Sequence, residues 1–238
     1  MAGMLPVSVT EAAARISASP APVIFLDTCA LLDVIRTPQR PEIRNEVIQA
    51  ALALRQRTLA PERQVWIVTA PFVPQEWQEH SADTEARLME HIKKLDEAMG
   101  AVRTAAGYLN MRPADSPQLA TLKLSGSLRS LAQQLLDAAI VLREDTECIV
   151  RARARIAQAR PPAAPRKAEF KDCEIIEHYL AVCSHLHGAG FAQRRVFVSS
   201  NKSDYCDSTG RLHPLLLLDF DVVNLQYAAD FAWANALL

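Results

Sequence analysis

The sequence predicts an α/β fold in which helices cover a central parallel sheet. Three short runs rich in apolar residues are typical of strands buried on both faces, and they lie at 23–26, 65–69 and 195–200. Segments with the apolar spacing of helices separate these runs along the chain. Because strands that alternate with helices form parallel sheets covered by those helices, we expect three layers.

The first predicted strand lies between two helices. Residues 9–17 predict a short helix, and the strand at 23–26 stops at Asp27, after which the next helix begins. A longer helix is predicted over 41–60, with Pro41 in its first turn. Apolar residues at helical spacing define its buried side, namely Ile43, Val47, Ala50, Ala51 and Leu54.

The second predicted strand, 65–69, leads into a helix that carries Glu76. Beyond this helix the apolar spacing is helical throughout, with loops near 110–117 and 125–126, and no strand pattern interrupts it. This stretch, about 81–165, therefore predicts a helical insertion in the α/β domain.

The last part of the chain returns to alternating helices and strands. Residues 169–190 predict a long helix that ends in glycines, and 195–200 form the third predicted strand. Residues 212–220 predict a helix despite their apolar run, because Pro214 fits a first turn. A final strand is expected within 222–228, followed by a terminal helix.

Composition limits the class of protein and its surroundings. With 238 residues, of which 50% are hydrophobic and 22% charged, the chain predicts one globular domain over 1–238. The five cysteines form no C-x-x-C pair, which indicates a reducing compartment, and no apolar run is long enough to span a bilayer. We therefore expect a cytoplasmic protein without a membrane partner. The net charge of −1 means that any polyanion must bind a local patch.

Polar side chains gather where the predicted strands end. Asp27 follows the first strand, Glu76 lies in the helix after the second, and Asn201 and Asp204 follow the third. Asp172 opens the helix that leads into the third strand. Ligands of open parallel sheets bind outside the carboxyl ends of the strands, so all these groups are expected to face one cleft.

Four carboxylates in one cleft would repel one another unless a cation compensates their charge. Mg²⁺ and Mn²⁺ prefer oxygen ligands, and one or two such ions can activate a water and neutralise the charge that develops on a phosphodiester. Each acid also has an ordinary explanation, as a helix cap, an exposed helix residue or a turn residue. The hypothesis of a metal site therefore depends on the acids meeting in space.

Four blocks of the sequence resemble the pattern of PIN-domain nucleases. The blocks, in order, are VIFLDTCALLD, PFVPQEW, KDCEIIEHYL and VFVSSNKSDY. The resemblance covers about 20–80 and 165–238, and it implies a Rossmann-like sheet with a helical insertion. It assigns the metal-binding and catalytic acids to Asp27, Glu76, Asp172 and Asp204, with Asn201 as a further catalytic group and Ser199 beside the substrate. Asn201 is an amide where some relatives place a carboxylate, so the number of ions, one or two, stays open.

The resemblance also implies an activity. It predicts an endoribonuclease that requires Mg²⁺ or Mn²⁺ and acts as a toxin or in RNA processing or defence, with RNA as substrate and single-stranded DNA as an alternative. A homodimer or an inhibitory protein partner is compatible with this interpretation. The alternative is a PIN-like module with weak catalysis that binds a protein or RNA, in which the helical insertion contacts the partner.

A basic segment precedes Asp172. Residues 151–171 contain seven basic side chains against one acidic side chain, a net charge of +6. Such a segment is typical either of a solvated helix end and linker or of contacts with phosphates, which would make binding salt-dependent. The residues predicted to contact the substrate are Arg151, Arg153, Arg155 and Lys171.

Other chemistries have weaker support. An aspartyl nucleophile of the haloacid dehalogenase type requires a second acid two residues after Asp27, and Cys29 occupies that place. A zinc site formed by Cys29, Cys173 and Cys206 competes with the ordinary role of small buried cysteines. Phosphate-binding loops rich in glycine and the G-x-S-x-G motif do not occur.

Overall fold

A computed structural model describes residues 5–42, 44–111, 118–164 and 169–238, in which helices flank a sheet of five parallel strands. This confirms the predicted α/β class and parallel sheet. The strands are β1 Val23–Leu26, β2 Trp66–Thr69, β3 Ile140–Val141, β4 Arg195–Val198 and β5 Gln226–Ala228.

The described α-helices mostly follow the apolar spacing of the sequence. They are α1 Val9–Ala18, α2 Thr28–Arg36, α3 Asn45–Leu59, α4 Val73–Tyr108, α5 Leu124–Asp137, α6 Thr146–Ala157, α7 Phe170–Gly188, α8 Lys202–Tyr205, α9 Pro214–Val222 and α10 Phe231–Leu237. Within these ranges no helix combines the length and the apolar composition needed to cross a membrane.

The order of strands in the sheet is β3-β2-β1-β4-β5. From β1 the chain adds β2 and β3 on one side, and it then returns to add β4 and β5 on the other side of β1. Right-handed crossovers then place α2–α5 on one face of the sheet and α6, α7 and α9 on the other. The helix contacts agree, since α2 packs on α4 and α5 whereas α7 packs on α1 and α6. The boundary between β1 and β4 is therefore a topological switch point, where such sheets bind ligands.

The central strands are buried on both faces. All four residues of β1 and all four of β4 are buried, as the continuous apolar runs predicted. Fully burying each Val, Ile, Leu or Phe side chain stabilises the fold by roughly 1.5–3 kcal/mol. The carboxyl ends of β1 and β4 therefore have little freedom, and side chains that follow them are held in fixed positions.

The prediction that no strand interrupts the helical stretch is wrong. Residues 140–141 form β3, which pairs in parallel with β2 at the edge of the sheet. A strand of two residues is too short to show an alternating pattern, and its signal is only the apolar run AAIVL. The segment before α1 continues this edge, because the Val7 N–H donates to Val141 O over 2.9 Å and Val7 O accepts from the Arg143 N–H over 2.8 Å.

Two predicted boundaries differ from the structure. The helix expected over 41–60 begins only at Asn45, because Thr37–Gln39 form a 3₁₀ turn between α2 and α3 and Pro41 lies in the connection. Residues 125–126, predicted as a loop, lie in the first turn of α5, where Ser and Gly are tolerated. Ile43 lies outside the described residues, as does most of the predicted loop 110–117.

The helix that carries Glu76 is 36 residues long. The predicted start of the insertion at residue 81 falls inside this helix, and β3 lies within the predicted insertion. The assignment of 81–165 as an insertion stays a prediction.

Candidate functional site

Asp27 lies directly after β1, at the switch point, and its side chain is 4% exposed. It is the N-cap residue of α2, but its carboxylate makes no capping hydrogen bond. Instead its Oδ2 accepts from the Ser199 hydroxyl over 2.6 Å and from the Cys29 thiol over 3.0 Å. The ordinary explanation as a helix cap therefore does not account for this carboxylate, which faces the end of β4.

The loop after β4 is joined to the end of β1 by further hydrogen bonds. The Ser200 N–H donates to Cys29 Sγ over 3.2 Å, and the Asn201 N–H donates to Ser199 Oγ over 3.1 Å. On the other side of the loop, the Tyr227 hydroxyl donates to Ser199 O over 2.7 Å. These contacts fix the loop between β4 and α8, which ends at Asn201.

Asp172 lies in the first turn of α7 and accepts from the Tyr205 hydroxyl at Oδ1 over 2.9 Å. Tyr179, seven residues farther along the same helix, sets the position of α7. Its hydroxyl donates to Leu26 O and accepts from the Ala70 N–H over 2.9 Å, and so joins α7 to the carboxyl ends of β1 and β2. Asp172 is thereby held over the same edge of the sheet as Asp27.

Asp204 lies in the short helix α8, where its Oδ2 accepts from Asn201 Nδ2 over 2.7 Å. Oxygens of Glu169, Asp172 and Asp204 all lie within 4.8 Å of one another, a spacing that a single cation could bridge. Glu169 was not among the predicted metal ligands, and it is the N-cap of α7 without a side-chain capping bond. Its only signal was its place three residues before Asp172.

The acids influence one another electrostatically. Burial, and then the negative charge of Asp27, raises the pKa of Asp172 to about 7, although the hydrogen bond from Tyr205 acts in the opposite direction. The charges of Asp204 and Glu169 raise this pKa further. Burial also raises the pKa of Asp27, with a smaller contribution from the charge of Glu76. Of the four predicted acids, Asp172 and Asp204 therefore lie within ligand distance of one ion, together with Glu169. Asp27 and Glu76 influence the pKa values of this region but do not belong to that ligand group among the described residues.

Glu76, in the first turn of α4, joins this group from the β2 side. Its Oε2 accepts from the Thr28 hydroxyl over 2.8 Å, and its Oε1 pairs with Lys171 Nζ at 3.2 Å. Lys171 was predicted to contact the substrate, and the structure places it beside the acids with its side chain 53% exposed. In the protein without an ion, this ammonium group compensates part of the negative charge.

The arginines of the basic segment lie in other surroundings. Arg155 is buried, and its guanidinium group pairs with Glu177 at 2.6 Å and with Asp219 at 3.0 Å. The prediction that Arg155 contacts a phosphate is therefore wrong, because these carboxylates and Pro161 O accept from its guanidinium donors. Arg151 pairs with Glu177 at 3.1 Å, and Arg153 is exposed on α6. Arg166 and Lys167 lie outside the described residues.

The donor set at the switch point consists of carboxylate, amide and hydroxyl oxygens, together with one thiol. Such oxygen ligands fit a hard divalent cation, and the mutual repulsion that raises the pKa of Asp172 would be relieved by one. The three cysteines considered for zinc do not form a metal-ligand group in the described part of the chain. The three acids Glu169, Asp172 and Asp204 can thus hold a metal ion.

Comparisons with known proteins give no relatives. No model of a known protein family matches this chain, and neither the curated proteins nor the solved structures include one that is significantly similar.

Proposed function

We propose that this chain is a nuclease that requires Mg²⁺ or Mn²⁺ and cleaves RNA internally. The observation that carries the proposal is the meeting of Glu169, Asp172 and Asp204 within bridging distance of a cation. The charge of Asp27 acts on Asp172, and Glu76 contacts Thr28, the neighbour of Asp27, and Lys171, the neighbour of Asp172. The resemblance of four sequence blocks to PIN-domain nucleases supports phosphodiesters as the substrate and RNA as the polymer.

The side chains have distinct tasks in this proposal. Asp172, Asp204 and Glu169 bind the cation, and Tyr205 orients Asp172 through its hydrogen bond. Ser199 and Cys29 donate to Oδ2 of Asp27 and so hold this buried carboxylate in a fixed position. A bound divalent ion supplies an activated water and neutralises charge on the phosphate. Lys171, which pairs with Glu76 at 3.2 Å and is 53% exposed, would contact a substrate phosphate beside the acids.

The test is cleavage of 5′-labelled single-stranded RNA and DNA of the same sequence with Mg²⁺, Mn²⁺ or EDTA. Asp172→Asn keeps an oxygen that accepts from Tyr205 but removes the charge, and we expect at least about a hundredfold loss of cleavage rate. Asp83→Asn, which changes an exposed acid on α4, is the matched control and should cleave like the wild type.

Cleavage that persists in EDTA and in Asp172→Asn would overturn the proposal. Cleavage of DNA alone would retain the metal site but reject RNA as the substrate. Absence of cleavage with every ion, together with binding of RNA or of a protein, would favour the alternative of a binding module.

A further inference from the structure

A cleft of about 780 Å³ adjoins the acid site on the side of β4 and β5. It lies past the carboxyl ends of these strands, where Ser200, Lys202 and Asp230 line it, and its opposite wall is the connection from α2 to α3. The loop after β4 borders both the acid site and the cleft. Ser199 bonds to Asp27, whereas the next residue, Ser200, lines the cleft.

The exposed charge of this cleft is positive, although its walls contain acids as well. Arg40 pairs with Asp33, whose side chain is only 7% exposed, while that of Arg40 is 46% exposed. Arg44 pairs with Asp230 at 2.5 Å, and the corresponding exposed fractions are 55% and 15%. Asp33 and Asp230 are therefore recessed, whereas a third lining acid, Glu42, is exposed. Arg40, Arg44 and Lys202 are exposed as well, so the exposed side chains of the cleft carry three positive charges against one negative charge.

The recessed acids position the arginines without occupying all their donors. Each ion pair uses one terminal guanidinium nitrogen, Nη2 of Arg40 and Nη1 of Arg44. A guanidinium group carries five N–H donors, so each can still bind a phosphate in a bidentate manner. Holding the side chains in place lowers the entropy that is lost on binding.

An aromatic ring completes the cleft. Trp233 lines it and is 48% exposed, unlike the buried Trp77. The start of α10 is fixed because the Trp233 N–H donates to Asp230 over 2.8 Å, and the indole ring packs edge-on against Tyr227 at a centroid distance of 6.1 Å. A half-exposed ring beside fixed cations is the combination with which proteins bind unpaired bases and their phosphates.

We propose that this cleft binds single-stranded nucleic acid, with phosphates on Arg40 and Arg44 and a base stacked on Trp233. This rests on the proposed nuclease function, and it defines the side from which the strand reaches the acids. The strand enters along β4 and β5 and not along α6, whose Arg155 is buried in ion pairs.

Binding is measured by fluorescence anisotropy of a labelled 12-nucleotide single-stranded RNA in EDTA, so that cleavage and metal loading play no part. Arg40→Ser/Arg44→Ser should weaken binding about tenfold at low salt. It should also reduce the slope of log affinity against log salt by about 1.4, which corresponds to two phosphates on a single strand. Trp233→Ala should weaken binding about tenfold, and Trp233→Phe should restore part of the loss.

Two controls separate binding from folding. Asp33→Asn/Asp230→Asn breaks the same ion pairs but keeps both arginines, and it should bind RNA at least as tightly as the wild type. Lys93→Ser/Lys94→Ser removes two equally charged side chains that pair with Glu97 and Glu90 on α4, and binding should be unchanged.

Equal loss of binding in the arginine and aspartate variants would overturn the proposal, because the ion pairs would then matter only for structure. An unchanged salt slope in the arginine variant would also overturn it. Asp172→Asn separates the two proposals. If it loses cleavage but still binds RNA in EDTA, the proposed chemistry stands whether or not the arginine variant binds RNA. If it cleaves like the wild type while the arginine variant loses RNA binding, the chemistry fails and the cleft stands.

Discussion

Asp172 shows how its environment changes the chemistry of a single side chain. In water its carboxyl group would be ionised well below neutral pH, but burial and the nearby acids raise its pKa to about 7. The folded protein therefore binds a proton at Asp172 over a pH range in which the unfolded chain has already released it. Above this range the folded protein holds the carboxylate ionised in its buried position, which costs free energy.

This coupling predicts the pH dependence of stability without metal. Because the folded-state pKa is raised, the unfolded chain binds fewer protons between about pH 4 and 7, and stability falls as the pH rises through this window. Asp172→Asn should remove this dependence and should be more stable than the wild type at pH 8 by roughly 2 kcal/mol, after allowance for partial exposure. Urea unfolding in EDTA at pH 5 and 8 measures it. An equal loss of stability with rising pH in both proteins would contradict the assignment.

At the scale of elements, ion pairs as well as apolar contacts join α6 to α7. Arg155 on α6 reaches Glu177 on α7 and Asp219 on α9, and both partners are largely shielded from water. A buried charge that loses its partner is strongly unfavourable. The basic segment thus contributes to the packing that positions α7, and through α7 to the position of Asp172.

We expect Arg155→Met to destabilise the fold by about 3–5 kcal/mol, because Glu177 would remain buried without its main partner. Arg153→Met, two residues away on the exposed side of α6, should change stability by less than about 0.5 kcal/mol. Urea denaturation of the two variants distinguishes a structural role of Arg155 from a role in binding the substrate. A stable Arg155→Met variant with weakened RNA binding would restore the original assignment to the substrate.

The elements that could be predicted are those whose pattern lies within one segment. Four of the five strands and most of the helices have continuous apolar runs or helical spacing. β3 was missed because two residues carry no periodicity, and the start of α3 was misplaced because no capping side chain marks it. The positions of Asp27, Glu76 and Asp204 after strand ends, and of Asp172 in the first turn of α7, could be predicted. Glu169, Cys29 and Tyr205 could not, since their roles depend on contacts between distant segments.

At the scale of the whole molecule, the site joins parts of the chain that are far apart in sequence. Asp27, Glu76, Asp172 and Asp204 come from the ends of β1, β2 and β4 and from the start of α7. Crowding these charges costs free energy that the buried sheet must offset. A ligand that binds only this assembled arrangement should stabilise the entire fold.

A divalent ion should therefore raise the melting temperature. Mn²⁺ at about a hundred times its Kd stabilises by about 2.7 kcal/mol, which for a chain of this size corresponds to roughly 5–10 °C. Asp204→Asn should show a much smaller increase, and Asp83→Asn the full one. Differential scanning calorimetry with Mn²⁺ or EDTA measures the difference. Equal increases in all three proteins would place the ion elsewhere.

The short pairing of Val7 with β3 has a consequence for how the molecule behaves in concentrated solution. An open sheet edge offers unsatisfied amide and carbonyl groups to a strand of any neighbouring molecule, which is a common route to aggregation. Here Val7 already uses the groups of Val141 and Arg143 at one edge. The protein thus protects this margin of its sheet with its own chain.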